Sequence, residues 1–137
     1  MSKSGESDME RVNMTDDADT IAKKFKKAKT DPEPLPEEME GLANRPEARN
    51  LVNIYAGLAN MTGEEVLAEY GGQGWGFFKP ALAELAVERL APISTEMARL
   101  MNDPAEIDRI LAKGAEKAKE IADPILDKTF EIMGFVR

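Results

Sequence analysis

The sequence predicts an all-α protein, an irregular bundle of about five helices with a flexible N-terminal loop. Apolar residues recur at spacings of three and four through most of the chain, and no segment alternates with period two. Aromatic residues make up only 6 % of the 137, so Leu, Ile, Met and Ala must carry the core, a composition suited to helices packed on helices.

Residues 1–14 are polar, Ser-rich and without a sustained apolar period, which predicts a mobile, unattached loop. Thr15 then supplies a hydroxyl, and Asp16, Asp17 and Asp19 supply negative charge, where the first free N–H groups of a helix need them. The expected buried stripe of that helix is Ile21, Ala22, Phe25 and Ala28. Its far end collects Lys23, Lys24, Lys26, Lys27 and Lys29, which suit the C-terminal half-charge.

Pro32, Pro34 and Pro36 forbid a regular helix in the connector that follows. Asn44 reads as a cap before Pro46, and Ala48, Leu51, Val52, Tyr55, Leu58 and Ala59 define a second helix running to about Asn60. Thr62 with Glu65 is a capping box, opening a short third helix with Val66, Leu67 and Tyr70 inward and Gly71 and Gly72 as its stop.

A long helical pattern starts near Phe78 and carries Leu82, Leu85, Ala86, Leu90, Ile93, Met97, Leu100 and Met101 on one side, with a kink expected at Pro92. Asp103 and Pro104 open the last helix. Its inward positions read Ile107, Leu111, Gly114, Ala118, Ile121, Ile125 and Ile132, Pro124 predicts a second kink, and Gly134 ends it. The two final helices are expected to lie antiparallel. Gly114, Ala115, Ala118 and Ala122 form a small-residue stripe that suits close helix packing.

With no Cys and no His, the chain cannot form disulfides, a Cys nucleophile or any His-dependent triad. A net charge of -8 argues against a surface built for nonspecific nucleic-acid binding, although a local basic patch is compatible with it. No stretch has the length of apolar sequence a membrane span needs, and the N-terminus has no apolar signal core, so a cytoplasmic protein without membrane contact is expected. Asp17 and Asp19 lack the Gly and distant Glu of a calcium loop, and no metal site is expected.

Met1-Ser2-Lys3-Ser4 matches the last four letters of the KMSKS signature of class I aminoacyl-tRNA synthetases. Further along come Thr30-Asp31 after the lysine-rich helix, Arg49-Asn50-Leu51-Val52 through Thr62-Gly63, and Gly74-Trp75-Gly76 before Lys79. Gly114-Ala115-Glu116-Lys117-Ala118 and Ile132-Met133-Gly134-Phe135 follow in order. Over essentially its full length the chain resembles the C-terminal part of bacterial tryptophanyl-tRNA synthetases.

That resemblance implies two parts, a partial signature loop at 1–14 and a helical domain on the anticodon side of tRNA at 15–137. It implies ATP, with Mg, as the nucleotide of the whole family enzyme, bound with help from Met1, Ser2, Lys3 and Ser4. Lys3 would be the catalytic residue, a point cation neutralising charge that develops on pyrophosphate as tryptophan attacks the α-phosphate. The signature's first lysine, the Rossmann domain, the HIGH motif and the tryptophan pocket are absent from these residues. The chain alone is therefore expected to be inactive and to need no cofactor. The implied partner is tRNA(Trp), held weakly, with a homodimer in which one tRNA spans two subunits.

The lysine cluster Lys23, Lys24, Lys26, Lys27 and Lys29 reads either as a phosphate-contacting face or as a solvated helix end. Gly71-Gly72-Gln73-Gly74-Trp75-Gly76 lacks the preceding strand and closing Lys-Ser/Thr of a P-loop, and reads as a turn with aromatic anchors. Two functions compete: a synthetase portion that contacts tRNA, and a stand-alone helical module that binds a protein partner.

Overall fold

The computed structural model describes residues 6–135, over which it has five α-helices, two short 3-10 turns and no strand. Met1, Ser2, Lys3 and Ser4, the expected nucleotide-binding residues, lie outside the described residues. The chain divides into two units, Met1–Met97 and Ala98–Arg137.

In the first unit, α1 spans Ala18–Lys27. Asp17, in extended backbone, accepts the N–H of Thr20 at 2.8 Å, so the cap is Asp17, one of the predicted acidic residues, in place of the Thr15 hydroxyl. A carboxylate satisfies the free N–H and adds negative charge at the helix's positive end, where a hydroxyl does only the first. The next helix, α2, spans Pro46–Ala59, with Arg45 and not Asn44 as its N-cap residue. Arg45 makes no side-chain cap bond because its guanidinium is turned to the connector. Pro46 at the first turn needs no N–H partner, and Asn60, left-handed at φ 58°, closes the helix.

Thr62 and Glu65 form the full capping box of α3, Gly63–Tyr70. Gly72 then takes φ 75°, a region glycine enters without steric cost. The glycine turn is clipped to the connector by two backbone bonds: Leu35 N–H donates to Gln73 at 2.9 Å and Gly72 N–H donates to Leu35 at 2.8 Å. A proline-rich segment with no helix of its own is thus held like a strand edge, and Leu35 is driven into the core.

Helix α4, Trp75–Met101, begins ahead of the predicted Phe78 because Gly74's carbonyl accepts the N–H groups of Phe77 and Phe78. It continues through Pro80 and Pro92. Phe78, Leu82, Ala83 and Ala86 are buried, whereas Ile93 and Met101, expected on the inward side, are exposed. The core of this unit joins Ile21 and Phe25 of α1, Leu35 and Leu42 of the connector, Leu51, Val52 and Tyr55 of α2, Val66, Leu67 and Tyr70 of α3, and this first half of α4.

The described part of the N-terminal loop is attached, where the sequence predicts it unattached. Residues Asp8–Glu10 form a 3-10 turn capped by Ser7, Val12 packs against the core, and Asp8 pairs with Lys24 at 2.8 Å. Polar composition conceals this tether, since the anchors are one valine and a set of charge-assisted hydrogen bonds.

In the second unit, Asp103 accepts the N–H of Glu106 at 3.0 Å and Pro104 opens α5, Pro104–Met133. Gly134 at φ 72° ends it, and Phe135 N–H donates back to Phe130 at 2.9 Å. No residue of α5 is buried. Ile121 is 72 % and Ile132 76 % exposed, so the predicted inward positions form a bare apolar stripe. A Cβ added at Gly114 would meet nothing within 4 Å among the described residues. Periodicity defines an apolar face, and says nothing about what covers it. No described helix is long and apolar enough to cross a membrane.

Candidate functional site

The lysines of α1, with Lys29 just beyond it, separate into three groups. Its inward face needs a residue between Ile21 and Phe25, and Lys24 falls there: it is 1 % exposed, which corrects the expectation that it faces solvent. Its ammonium donates to Asp16 at 2.6 Å and lies 2.8 Å from Asp8. Asn13 joins both acids, its side-chain amide donating to Asp8 at 2.8 Å and its backbone N–H to Asp16 at 2.8 Å.

Burial pushes the Lys24 ammonium toward neutrality, but the hydrogen bonds it donates to Asp16 and Asp8 outweigh that and hold its pKa above the ordinary value. Burial likewise pushes the Asp16 carboxyl up, and the bonds from Lys24 and Asn13 bring it below its ordinary range. Asp8 is lowered mainly by its bond from Lys24, then by Asn13. All three groups stay charged near neutrality, and the charge of Lys24 is already met by its two acidic neighbours.

Lys29 is 85 % exposed but lies 3.1 Å from Glu47. Lys23, Lys26 and Lys27 are exposed, and among the described residues no carboxylate pairs with them. The five-lysine cluster therefore reduces to three cations in the C-terminal half of α1 with no carboxylate paired to them among the described residues. Two shallow grooves flank them. One, of about 410 Å³, is lined by Ser7, Met9, Glu10, Lys27, Ala28, Lys29 and Glu47. The other, of about 350 Å³, is lined by the apolar Ala18, Ala22, Ala83 and Val87 and by Lys26, Asp19, Glu84 and Glu88.

The end of α1 is braced from behind. Lys79 donates to the carbonyl of Ala28 at 2.7 Å, placing a cation on the helix's negative end, and burial lowers its pKa. Its ammonium also lies 5.8 Å from the Trp75 ring centroid, and the Arg45 guanidinium 6.0 Å from it. Arg45 grips Asp31 with two nitrogens, at 2.9 and 2.5 Å, and donates to the carbonyls of Pro34 and Glu33 at 2.7 and 2.8 Å. That guanidinium holds the Asp31 carboxyl below its ordinary value. Behind the bracket lie Tyr55, Tyr70 and Phe78, with the two tyrosine hydroxyls 2.9 Å apart. Burial, aided by that hydrogen bond, raises the pKa of Tyr70.

Sequence reasoning missed the roles of Asp8, Asp16 and Arg45. A signal for Lys24 was present, because position 24 shares a helical face with Ile21 and Ala28 and cannot be solvated without turning one of them outward. Arg45 had none, since its partners lie fourteen and fewer residues back in a connector without periodicity. Among the described residues no group of three or more metal-ligating side chains is placed to hold an ion.

Residues 1–91 match the family of class I tRNA synthetases (W and Y). The chain is 62 % identical over 135 residues to the tryptophan–tRNA ligase of Caulobacter vibrioides, covering 98 % of this chain and 39 % of that one. It is 59 % identical over 137 residues to that of Rhizobium meliloti, covering 100 % and 39 %. With the tryptophan–tRNA ligase of Synechocystis sp. the identity is 41 % over 140 residues, covering 99 % and 40 %. The chain thus spans 39 to 40 % of the length of these curated relatives.

Proposed function

The chain belongs to the class I tRNA synthetases (W and Y), and on that premise we propose that it is the tRNA-contacting helical part of a tryptophan–tRNA ligase together with the end of its ATP-closing loop. The observation that carries this reading is the near-complete coverage of the chain by tryptophan–tRNA ligases at 51 to 62 % identity. In such an enzyme tryptophan and ATP, with Mg, give tryptophanyl-adenylate and pyrophosphate, and the tryptophanyl group is then transferred to tRNA(Trp) in the cytoplasm with release of AMP. Lys3 would neutralise charge on the leaving pyrophosphate, with Met1, Ser2 and Ser4 helping to hold the nucleotide. Lys23, Lys26 and Lys27 would meet tRNA phosphates, and the enzyme would act as a dimer.

Two measurements test the reading. The 137-residue chain by itself is expected to give no tryptophan-dependent pyrophosphate exchange, because it spans two fifths of the relatives' length. Exchange that vanished in Lys3→Ala would contradict this. For tRNA, three phosphate contacts give a slope of log K against log salt of about -2 to -2.7. Lys23→Ala with Lys27→Ala should bring it to about -0.7 to -0.9, since one contact remains. Equal, undetectable binding of tRNA(Trp) and an unrelated tRNA would remove the RNA reading.

The exposed apolar stripe of α5 favours a second reading, a helical module that binds a protein partner. Retained tRNA selectivity with an unchanged salt slope after Leu111→Ser and Ile125→Ser would separate the first reading from it.

A further inference from the structure

Between α1 and α4 the side chains are too short to close the space. One open stretch, of about 320 Å³, runs past Ala18 and Ile21 on one side and Val87, Ala91 and Ser94 on the other. The second is the groove of about 350 Å³ that reaches Ala22 and Ala83. Both include Ala18 and Val87, so the two form one channel within the first unit. Ala18 and Ala22 stand one turn apart on α1, and Ala83, Val87 and Ala91 follow at the same interval on α4, so each wall presents a column of small apolar side chains. From Ala83 to Ser94 the α4 wall is about 16 Å long, three turns of a helix.

The polar residues beside Ala22 and Ala83 carry charge of mainly one sign. Asp19 belongs to the α1 side, and Glu84 and Glu88, one turn apart, to the α4 side. All three are exposed, and among the described residues no cation pairs with them. Lys26 is the one cation among the described lining residues. Three carboxylates free of partners repel phosphate, which sets this channel apart from the exposed lysines of α1. Both walls are helices whose backbone groups bond to one another, so an extended peptide would bury its own N–H and C=O groups without partners. A helix brings its backbone already bonded and offers only side chains.

We propose that the channel between α1 and α4 is a docking groove for a helix of a partner protein. The apolar stripe of that helix enters between the two columns of small side chains, and lysine or arginine flanking the stripe meets Asp19, Glu84 and Glu88. The surface differs from the bare stripe of α5, which lies in the second unit. The ligase reading assigns nothing to Asp19, Glu84 or Glu88, so the two proposals are tested separately.

The probe is a labelled synthetic peptide of about fourteen residues, helical, with leucines at spacings of three and four and lysines on both flanks. Titrated with the 137-residue chain and read by fluorescence anisotropy, it should bind, and its twin with glutamate for lysine should bind at least about tenfold more weakly. Glu84→Lys with Glu88→Lys should invert that preference, and because both side chains are exposed the unfolding midpoint should stay where it was. Ala18→Trp, at a position both stretches share, changes no charge and should weaken the lysine peptide by about tenfold. A lysine peptide of the same composition with its leucines scattered round the helix should not bind. No binding of the striped lysine peptide, equal binding of the striped and scattered peptides, or indifference to Ala18→Trp would overturn the groove. So would tRNA that displaced the peptide and itself lost affinity with Ala18→Trp, since the channel would then belong to RNA. Undetectable tRNA binding with peptide binding intact would remove the tRNA reading alone.

Discussion

In α2, Ala48, Leu51, Val52 and Tyr55 are buried, whereas in α5 Leu111, Ile121, Ile125 and Ile132, at similar helical spacings, are exposed. The two helices differ in what surrounds them. A short connection brings α3 back onto α2 and the long connector before it folds onto the same core, to which Leu35, Val66 and Phe78 belong. α5 has thirty residues of amphipathic pattern, good caps at both ends and no buried side chain. Its helicity is consistent with capping and local propensity, while that of α2 adds tertiary burial.

The sharpest way to break this contrast is a large-to-small pair. Phe78→Ala empties a site in contact with Tyr55, Tyr70 and Trp75 and is expected to cost about 3–5 kcal/mol of unfolding free energy. Ile121→Ala should change it by less than about 0.5 kcal/mol, because its side chain is exposed. Denaturant melts of both variants decide it, and a comparable loss at Ile121 would mean that α5 is buried in solution.

A second expectation concerns backbone fit. A Cβ at Gly71 would lie 2.5 Å from the Leu67 carbonyl and 3.0 Å from the Glu37 Cα, both main-chain atoms. Gly71→Ala must therefore shift the turn that clips Leu35, and about 1–3 kcal/mol of destabilisation is expected in the same melts.

Acid sharpens the comparison differently, because the depressed carboxyls identified above lie in the first unit. Arg45 holds Asp31 below its ordinary 3.8, so the ionised form is the one the fold favours. The stability it contributes is present above the unfolded value and is lost as pH falls below it through the folded pKa. Asp16, lowered by Lys24 and Asn13 against the cost of burial, acts in the same sense. Stability should fall from about pH 4 downward, and Asp31→Asn should flatten that fall. Parallel acid profiles for wild type and Asp31→Asn would show that the Arg45 grip does not survive in solution.

How much of this was legible depended on the range of the interaction. Thr62 with Glu65, Asp103 with Pro104, and Gly134 act within one turn, and each marks a helix end as its residue type predicts. Arg45 and Lys79 act across the fold, Lys79 reaching Ala28 from fifty-one residues away, and no local pattern encodes such a meeting. Lys24 misled because five lysines in seven residues look like one solvated patch, although the period of the helix requires one of them to point inward. The apolar stripe of α5 misled in the opposite sense, since a repeat of Leu and Ile is equally visible whether or not a partner covers it.

The last expected effect is at Gly114, and it separates the two regions by the sign of its result. Glycine inside a helix leaves the unfolded chain freer and adds no side-chain contact, so alanine is preferred there by roughly 0.5–1 kcal/mol unless its methyl group has nowhere to go. At Gly71 it has nowhere to go. At Gly114 the added Cβ meets nothing within 4 Å, and the position lies well inside α5, ten residues beyond Pro104. Gly114→Ala should raise the helical signal of α5 and slow exchange of its amides, while the melting of the first unit stays where it was. Small-residue packing makes the contrary prediction: if another helix closes on Gly114 in solution, through a partner or a second copy, the methyl group clashes and the variant is destabilised or loses that association. Amide exchange across residues 104–133, measured at two protein concentrations a hundredfold apart, distinguishes the two. Slower exchange in the variant, independent of concentration, leaves α5 governed by its own propensity and caps.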